Sequence, residues 1–125
     1  MILGIGMDIV ETCRIERAVL RFGERFWSRI FTPSEKMYCF GKVSPWNSLA
    51  ARFAAKEAAF KALGRGWPDS GGYASVEVRM DEQGRPGLIF HGKARMIADA
   101  LGVRNVLVSL THDGGYAAAS VILEG

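Results

Sequence analysis

The stretch Leu49-Ala50-Ala51-Arg52-Phe53-Ala54-Ala55-Lys56-Glu57-Ala58-Ala59-Phe60-Lys61-Ala62-Leu63-Gly64 decides how the chain is read. It predicts a long helix that begins near Ser44-Pro45 or Asn47-Ser48 and stops at Gly64, with Lys61 in its last turn. At ~100° per residue, Leu49, Phe53 and Phe60 form a narrow apolar stripe. Glu57 and Lys61 lie along one edge of that stripe, and Arg52 and Lys56 along the other. The opposite face is alanine: Ala50, Ala51, Ala54, Ala55, Ala58 and Ala62. A face without bulk lets other backbone pack very close, so the helix is expected to be buried on that side. Charges beside the stripe then sit near the core boundary, where an unpaired charge is costly.

On either side of this helix the chain alternates short strands, helices and turns. Residues 2–10 read as a strand. A helix follows from Glu11-Thr12 to about Phe22, with Thr12 as its N-cap. Phe31-Thr32-Pro33-Ser34-Glu35 is a helix start, with Thr32 the N-cap, Pro33 the first helical residue and Glu35 the capping-box partner. That helix stops near Gly41. Gly64 to Tyr73 reads as a loop. Val76, Val78 and Met80 alternate with Ser75, Glu77 and Arg79, a strand with one wet face. Gly84-Arg85-Pro86-Gly87 turns into the strand Leu88-Ile89-Phe90, and a helix from about Gly92 to Leu101 is closed by Gly102. Asn105–Thr111 and Tyr116–Leu123 are strands joined by His112-Asp113-Gly114-Gly115, a hairpin signal. Hairpins mixed with helices, without a βαβα rhythm, predict an α+β fold in one domain over residues 1–125.

Asp8 breaks the pattern of the first strand. Ile2, Gly4, Gly6, Asp8 and Val10 share one face; Leu3, Ile5, Met7 and Ile9 share the other. The second face is uniformly apolar and is expected to be core. The first sets a carboxylate beside two glycines, and glycine inside a strand often marks close approach by a ligand or another backbone. Two readings stand level: Asp8 caps the following helix, or it faces a ligand. Glu57 and Lys61 also have an ordinary reading, an i,i+4 pair worth ~0.2–0.5 kcal/mol. The functional reading needs a partner for Glu57, and Asp8 is the natural candidate. Two carboxylates are too few for a closed Ca²⁺ cage but suit Mg²⁺, which keeps waters and takes further oxygens from phosphates. Lys61 would then neutralise phosphate charge.

Arg14, Arg17, Arg21 and Arg25 project from one side of the first helix, opposed to Ile15, Val19 and Phe22. They form either a solvated face or a docking surface for an acidic partner. No aromatic interleaving or recognition-helix motif accompanies them, so no nucleic acid partner is expected. His112, where a strand meets a turn, is the better placed of the two histidines for acid, base or ligand contact. The chain's 125 residues suffice for a real core, and its net charge of +3 permits an acidic partner without requiring one. No apolar run approaches the ~20 residues of a membrane span, and no signal peptide is read at the N-terminus. Cys13 and Cys39 form neither a metal spacing nor a disulfide framework, so a cytoplasmic location is expected.

Four segments together resemble the holo-acyl-carrier-protein synthase family, the short phosphopantetheinyl transferases. They are Gly4-Ile5-Gly6-Met7-Asp8-Ile9-Val10-Glu11, Phe31–Glu35, Arg52–Gly64, and Ser109-Leu110-Thr111-His112-Asp113-Gly114-Gly115-Tyr116-Ala117-Ala118-Ala119. Their order and the chain length fit the family from end to end. The resemblance implies an enzyme that moves 4′-phosphopantetheine from coenzyme A to a serine of an apo acyl carrier protein in fatty acid synthesis. It implies Asp8 and Glu57 as ligands of Mg²⁺, and Lys61 as the phosphate-contacting lysine. Arg52 and His112 match positions that meet the nucleotide end of coenzyme A, and Arg14 and Arg21 match the carrier-docking helix. Glu57, a metal-bound water or His112 is implied as the base for the serine. A homotrimer with sites between subunits is implied as well. Glu35 is explained by its cap alone. The stretch Arg65–Gly72 departs from the family through Trp67-Pro68-Asp69.

Overall fold

In the computed structural model, residues 1–66 and 68–125 are described. Trp67, part of the departure noted above, lies outside the described residues. The chain runs β1 (Ile2–Glu11), α1 (Thr12–Phe22), α2 (Glu24–Ile30), α3 (Pro33–Phe40), α4 (Trp46–Leu63), a single 3₁₀ turn (Tyr73–Ser75), β2 (Val76–Met80), β3 (Pro86–Phe90), α5 (Gly92–Leu101), β4 (Asn105–Asp113) and β5 (Tyr116–Glu124). The strands form two antiparallel sheets, one ordered β1-β5-β4 and one pairing β2 with β3. The α+β expectation holds, and the alanine-rich α4 packs on the larger sheet.

The two glycines of β1 explain how closely α4 sits. A Cβ at Gly6 would lie 1.8 Å from the Ala58 carbonyl oxygen, and one at Gly4 would lie 2.1 Å from that of Ala62. The close approach signalled by the glycines is therefore the backbone of α4, with the buried Ala58 and Ala62 completing the contact. Asp8 follows on the same face of β1 and is carried to the C-terminal half of the helix.

The expectation for the opposite face of β1 is overturned. Ile5, Met7 and Ile9 are 65%, 63% and 66% exposed. The helix took the side of the strand that offers no side-chain bulk, because backbone reaches backbone there. The sheet's other face is left uncovered and apolar. Ile5 lies opposite Ile122, which lies opposite the exposed Leu107.

Smaller departures have local causes. Gly23, at φ 70°, ends α1, so Arg25 belongs to the separate helix α2 and not to the first helix. Phe22 is exposed instead of facing the core. Thr12 does not cap α1; its hydroxyl meets Asn47 Oδ1 at 3.2 Å, and Glu11 stands at the cap without a side-chain bond. Glu77, placed on the wet face of β2, is buried. The hairpin turn is shorter than predicted. His112 and Asp113 extend β4, and Gly114 and Gly115 alone form the turn, both at positive φ as a two-residue turn matching the sheet twist demands. The capping box of Thr32 and Glu35 and the left-handed Gly64 at the end of α4 stand as read.

Candidate active site

β1 and α4 bring their charged residues together near the C-terminal half of the helix. Lys61 Nζ donates to Asp8 Oδ1 at 3.2 Å and to the Met7 carbonyl at 2.9 Å. The ordinary reading of Lys61 as the i,i+4 partner of Glu57 does not hold. Glu57 instead accepts, at Oε1, a 2.5 Å hydrogen bond from the Tyr73 hydroxyl. Nor does Asp8 cap α1, since Glu11 occupies that place. Asp8 and Glu57 line one cleft of about 340 Å³, with Arg14 on its α1 wall and Phe26 and Phe53 beneath. Their meeting could not be read from spacing, because it depends on where α4 crosses β1.

Tyr73 went unnoticed in the sequence, where it ends a loop. Its ring stacks on Phe53 at 5.3 Å between centroids and meets Phe60 edge-on at 5.6 Å. Burial pushes its phenol well above the ordinary range, and the hydrogen bond to Glu57 pushes it further.

Five residues before Lys61, the other lysine of α4 has a different fate. Lys56 is not at the helix edge but enclosed, and so is Glu35; both side chains are 0% exposed and 2.8 Å apart. Lys56 also donates to the carbonyls of Tyr73, at 3.1 Å, and Val76. Glu35 accepts from the backbone N–H of Thr32 and of Val78, each at 2.9 Å. Burial pushes the Lys56 ammonium down, and Glu35 opposes that shift. Glu35 is thus fully explained by structure, as its cap suggested. Beside it, Glu77 accepts from the hydroxyls of Thr32 and Ser34 at 2.6 and 2.5 Å and meets His91 at 3.0 Å. Burial alone would raise the Glu77 carboxyl, but these partners and Arg79 outweigh it and hold it at about 2.

Two of the implied site residues are not brought to this cleft. Arg52 is 1% exposed, its guanidinium 4.4 Å from the ring centroid of Tyr38 and its buried Nε without a hydrogen bond among the described residues. His112 stands on the edge strand β4, in register with Ala117 and, across β5, with Val10. That is two strand spacings, about 10 Å, from β1. Arg14 and Arg21 do share a surface: with Arg17 and Phe22 they line a depression of about 260 Å³ on α1. Around Phe22 this continues into a larger cavity of about 750 Å³, where Arg25 and Arg29 flank Phe26 and Tyr73.

The donor set of the cleft suits a hard divalent cation. Among the described residues Asp8 Oδ2 and Glu57 Oε2 carry no hydrogen bond, and no third His, Cys, Asp or Glu joins them into a closed group. Two carboxylate oxygens with room for substrate oxygens fit Mg²⁺ better than Ca²⁺ or Zn²⁺.

Comparison with known proteins agrees with this fold. Residues 4–121 match the 4′-phosphopantetheinyl transferase superfamily, and the chain belongs to it. Within that superfamily the chain is similar to proteins named holo-[acyl-carrier-protein] synthase. That of Koribacter versatilis (strain Ellin345) is 50% identical over 124 residues, 99% of each chain. That of Solidesulfovibrio magneticus is 46% identical over 125 residues, 100% of each. Among solved structures, the holo-[acyl-carrier-protein] synthase of Neisseria meningitidis superposes with a TM-score of 0.91 at 34% identity, covering 100% of both chains. The Helicobacter pylori enzyme in complex with coenzyme A superposes with a TM-score of 0.84 at 32% identity, over 96% of this chain and 99% of that one.

Proposed function

We propose that this protein transfers 4′-phosphopantetheine from coenzyme A to a serine of an apo acyl carrier protein, releasing adenosine 3′,5′-bisphosphate. The observation that carries the reading is the single cleft walled by Asp8 and Glu57, with Lys61 on Asp8 and Arg14 opposite. The serine oxygen attacks the pantetheine-side phosphorus of the pyrophosphate, and the bond to the nucleotide's bridging oxygen breaks. Such a displacement needs alignment and neutralisation of oxygen charge more than covalent help from the protein. Asp8 and Glu57 would hold Mg²⁺, which supplies Lewis-acid neutralisation of the pyrophosphate oxygens when bound. Lys61, with a side chain 55% exposed, is free to leave Asp8 for a phosphate.

Docking of the carrier is assigned to the arginine-edged surface of α1 and α2. Arg14 and Arg21, joined by Arg25 and Arg29, surround an apolar floor at Phe22 and Phe26. Guanidinium groups around the exposed Phe22 and the half-buried Phe26 suit an acidic partner, steering it by charge and anchoring it by contact. The uncovered sheet face of Ile5, Met7, Ile9, Leu107 and Ile122 supports self-association, and the family resemblance supports a homotrimer as its form. Of the two residues implied for the nucleotide end of coenzyme A, the exposed His112 is proposed to meet it, whereas Arg52 is enclosed against Tyr38. His112, on the edge strand, would do so in a site completed by a neighbouring subunit.

Incubation with coenzyme A, Mg²⁺ and an apo carrier protein tests the reading. A mass gain of one phosphopantetheine on the carrier supports it. Consumption of coenzyme A with the carrier unmodified points to pyrophosphate hydrolysis, and no turnover points to a binding module. Sedimentation of the free protein as a monomer would remove the trimer.

A further inference from the structure

We propose that Tyr73 is a positioning residue for Glu57, dedicating one carboxylate oxygen to the protein so that the other faces the cation. This deepens the reading of Asp8 and Glu57 as the cation-holding pair and rests on it. Glu57 is half-buried on the cleft edge of α4, and an unrestrained carboxylate there can rotate or bind a cation through both oxygens. The Tyr73 hydroxyl restricts that freedom, because its 2.5 Å bond engages Oε1 and favours Oε2 for a ligand.

Tyr73 can do this because it is itself fixed from two sides. Its ring is caught between Phe53 and Phe60, both on α4 like Glu57 itself. Its main chain is gripped by Lys56, which holds the carbonyls of Tyr73 and Val76 at either end of the 3₁₀ turn. Lys56 in turn is locked by Glu35, which the N-terminus of α3 and the amide of Val78 hold in place. The buried ion pair thus sets the turn, the turn sets the phenol, and the phenol sets the carboxylate. Tyr73 also lines the cavity between Arg25 and Arg29. The same ring therefore separates the carrier-docking surface from Glu57.

Partners that orient a metal ligand typically change metal affinity or activity by about 10–100-fold when removed. The test is to titrate Mn²⁺ into the full-length protein without coenzyme A, following free Mn²⁺ by electron paramagnetic resonance, and to measure transfer in parallel. Tyr73→Phe keeps the ring and removes only the hydroxyl, so the fold should melt within a few degrees of the parent. The expected result is roughly tenfold weaker Mn²⁺ binding and a comparable loss of kcat, with the carrier KM unchanged. If Tyr73 served packing alone, Tyr73→Phe would bind Mn²⁺ and turn over like the parent while Tyr73→Leu failed, and the proposal would be overturned. Glu57→Gln separates the two levels of inference. If it loses Mn²⁺ while Tyr73→Phe does not, only the positioning role falls. If Glu57→Gln binds Mn²⁺ as the parent does, the cation site itself is wrong, and the positioning role falls with it.

Discussion

Helix α4 carries two lysines five residues apart, each paired with a carboxylate, and the pairs differ in almost every other respect. Lys56 and Glu35 are both fully enclosed, and their remaining hydrogen-bonding capacity is taken up by backbone groups of α3, β2 and the Tyr73 turn. Lys61 and Asp8 are 55% and 20% exposed, and among the described residues Asp8 Oδ2 has no hydrogen-bond partner. A buried pair tolerates its desolvation only when every donor and acceptor is satisfied, and once satisfied it has nothing left for a ligand. An exposed pair contributes little to stability and so can be exchanged for a substrate at small cost. One pair builds the scaffold and the other is available for chemistry.

That contrast can be broken from either side, and the largest effect should come from the enclosed pair. Lys56→Met leaves Glu35 as an uncompensated charge in the interior. Urea unfolding should show a loss of about 3–5 kcal/mol. A loss below 1 kcal/mol would mean that the pair is not sealed as described. Glu77 extends the enclosed network and gives it a pH signature. Its carboxyl is held at about 2, below the ordinary 4.5, so it stabilises the fold above the ordinary value and that contribution disappears as pH falls from about 4.5 towards 2. Glu77→Gln should therefore be less stable near neutrality by on the order of 2 kcal/mol and lose less stability on acidification. Parallel acid-unfolding curves for the two proteins would remove this assignment.

The open pair should behave in the opposite way. Lys61→Ala should change unfolding free energy by under about 1 kcal/mol while reducing transfer by at least tenfold. A variant that is unstable but fully active would invert the comparison. The smallest structural disturbance belongs to the arginine surface. Arg21→Glu, on the depression of α1 and outside the Asp8–Glu57 cleft, should leave the melting temperature and coenzyme A binding nearly unchanged and raise the KM for an acidic carrier, most strongly at low salt. An unchanged carrier KM would remove Arg21 from the docking surface.

How much of this the sequence disclosed follows the range of the interactions. The Thr32–Glu35 capping box, the stop at Gly64 and the Gly114-Gly115 turn depend on residues a few positions apart, and all were legible. Gly4 and Gly6 correctly signalled a close approach, although what approaches is helix backbone. The side of β1 that α4 would cover was not legible, because alternation shows only that the faces differ, and the apolar one was the natural choice for core. Lys56 and Glu35 are 21 residues apart, and Tyr73 reaches Glu57 across a loop, so neither contact leaves a periodic trace. Asp8 and Glu57 were linked by resemblance before the fold placed them on one cleft. Physical reading of α4 alone gave a solvated Glu57–Lys61 pair, which the structure replaces with two separate partners.

Glu57 is where the enclosed network, acting through Tyr73, meets the open cleft. The decisive measurement is therefore the rate of phosphopantetheine addition to an apo carrier, followed by mass spectrometry, for the parent protein and for Glu57→Gln. The parent should add one phosphopantetheine per carrier, and the folded variant should add essentially none. Addition by Glu57→Gln at the parent's rate would contradict the account.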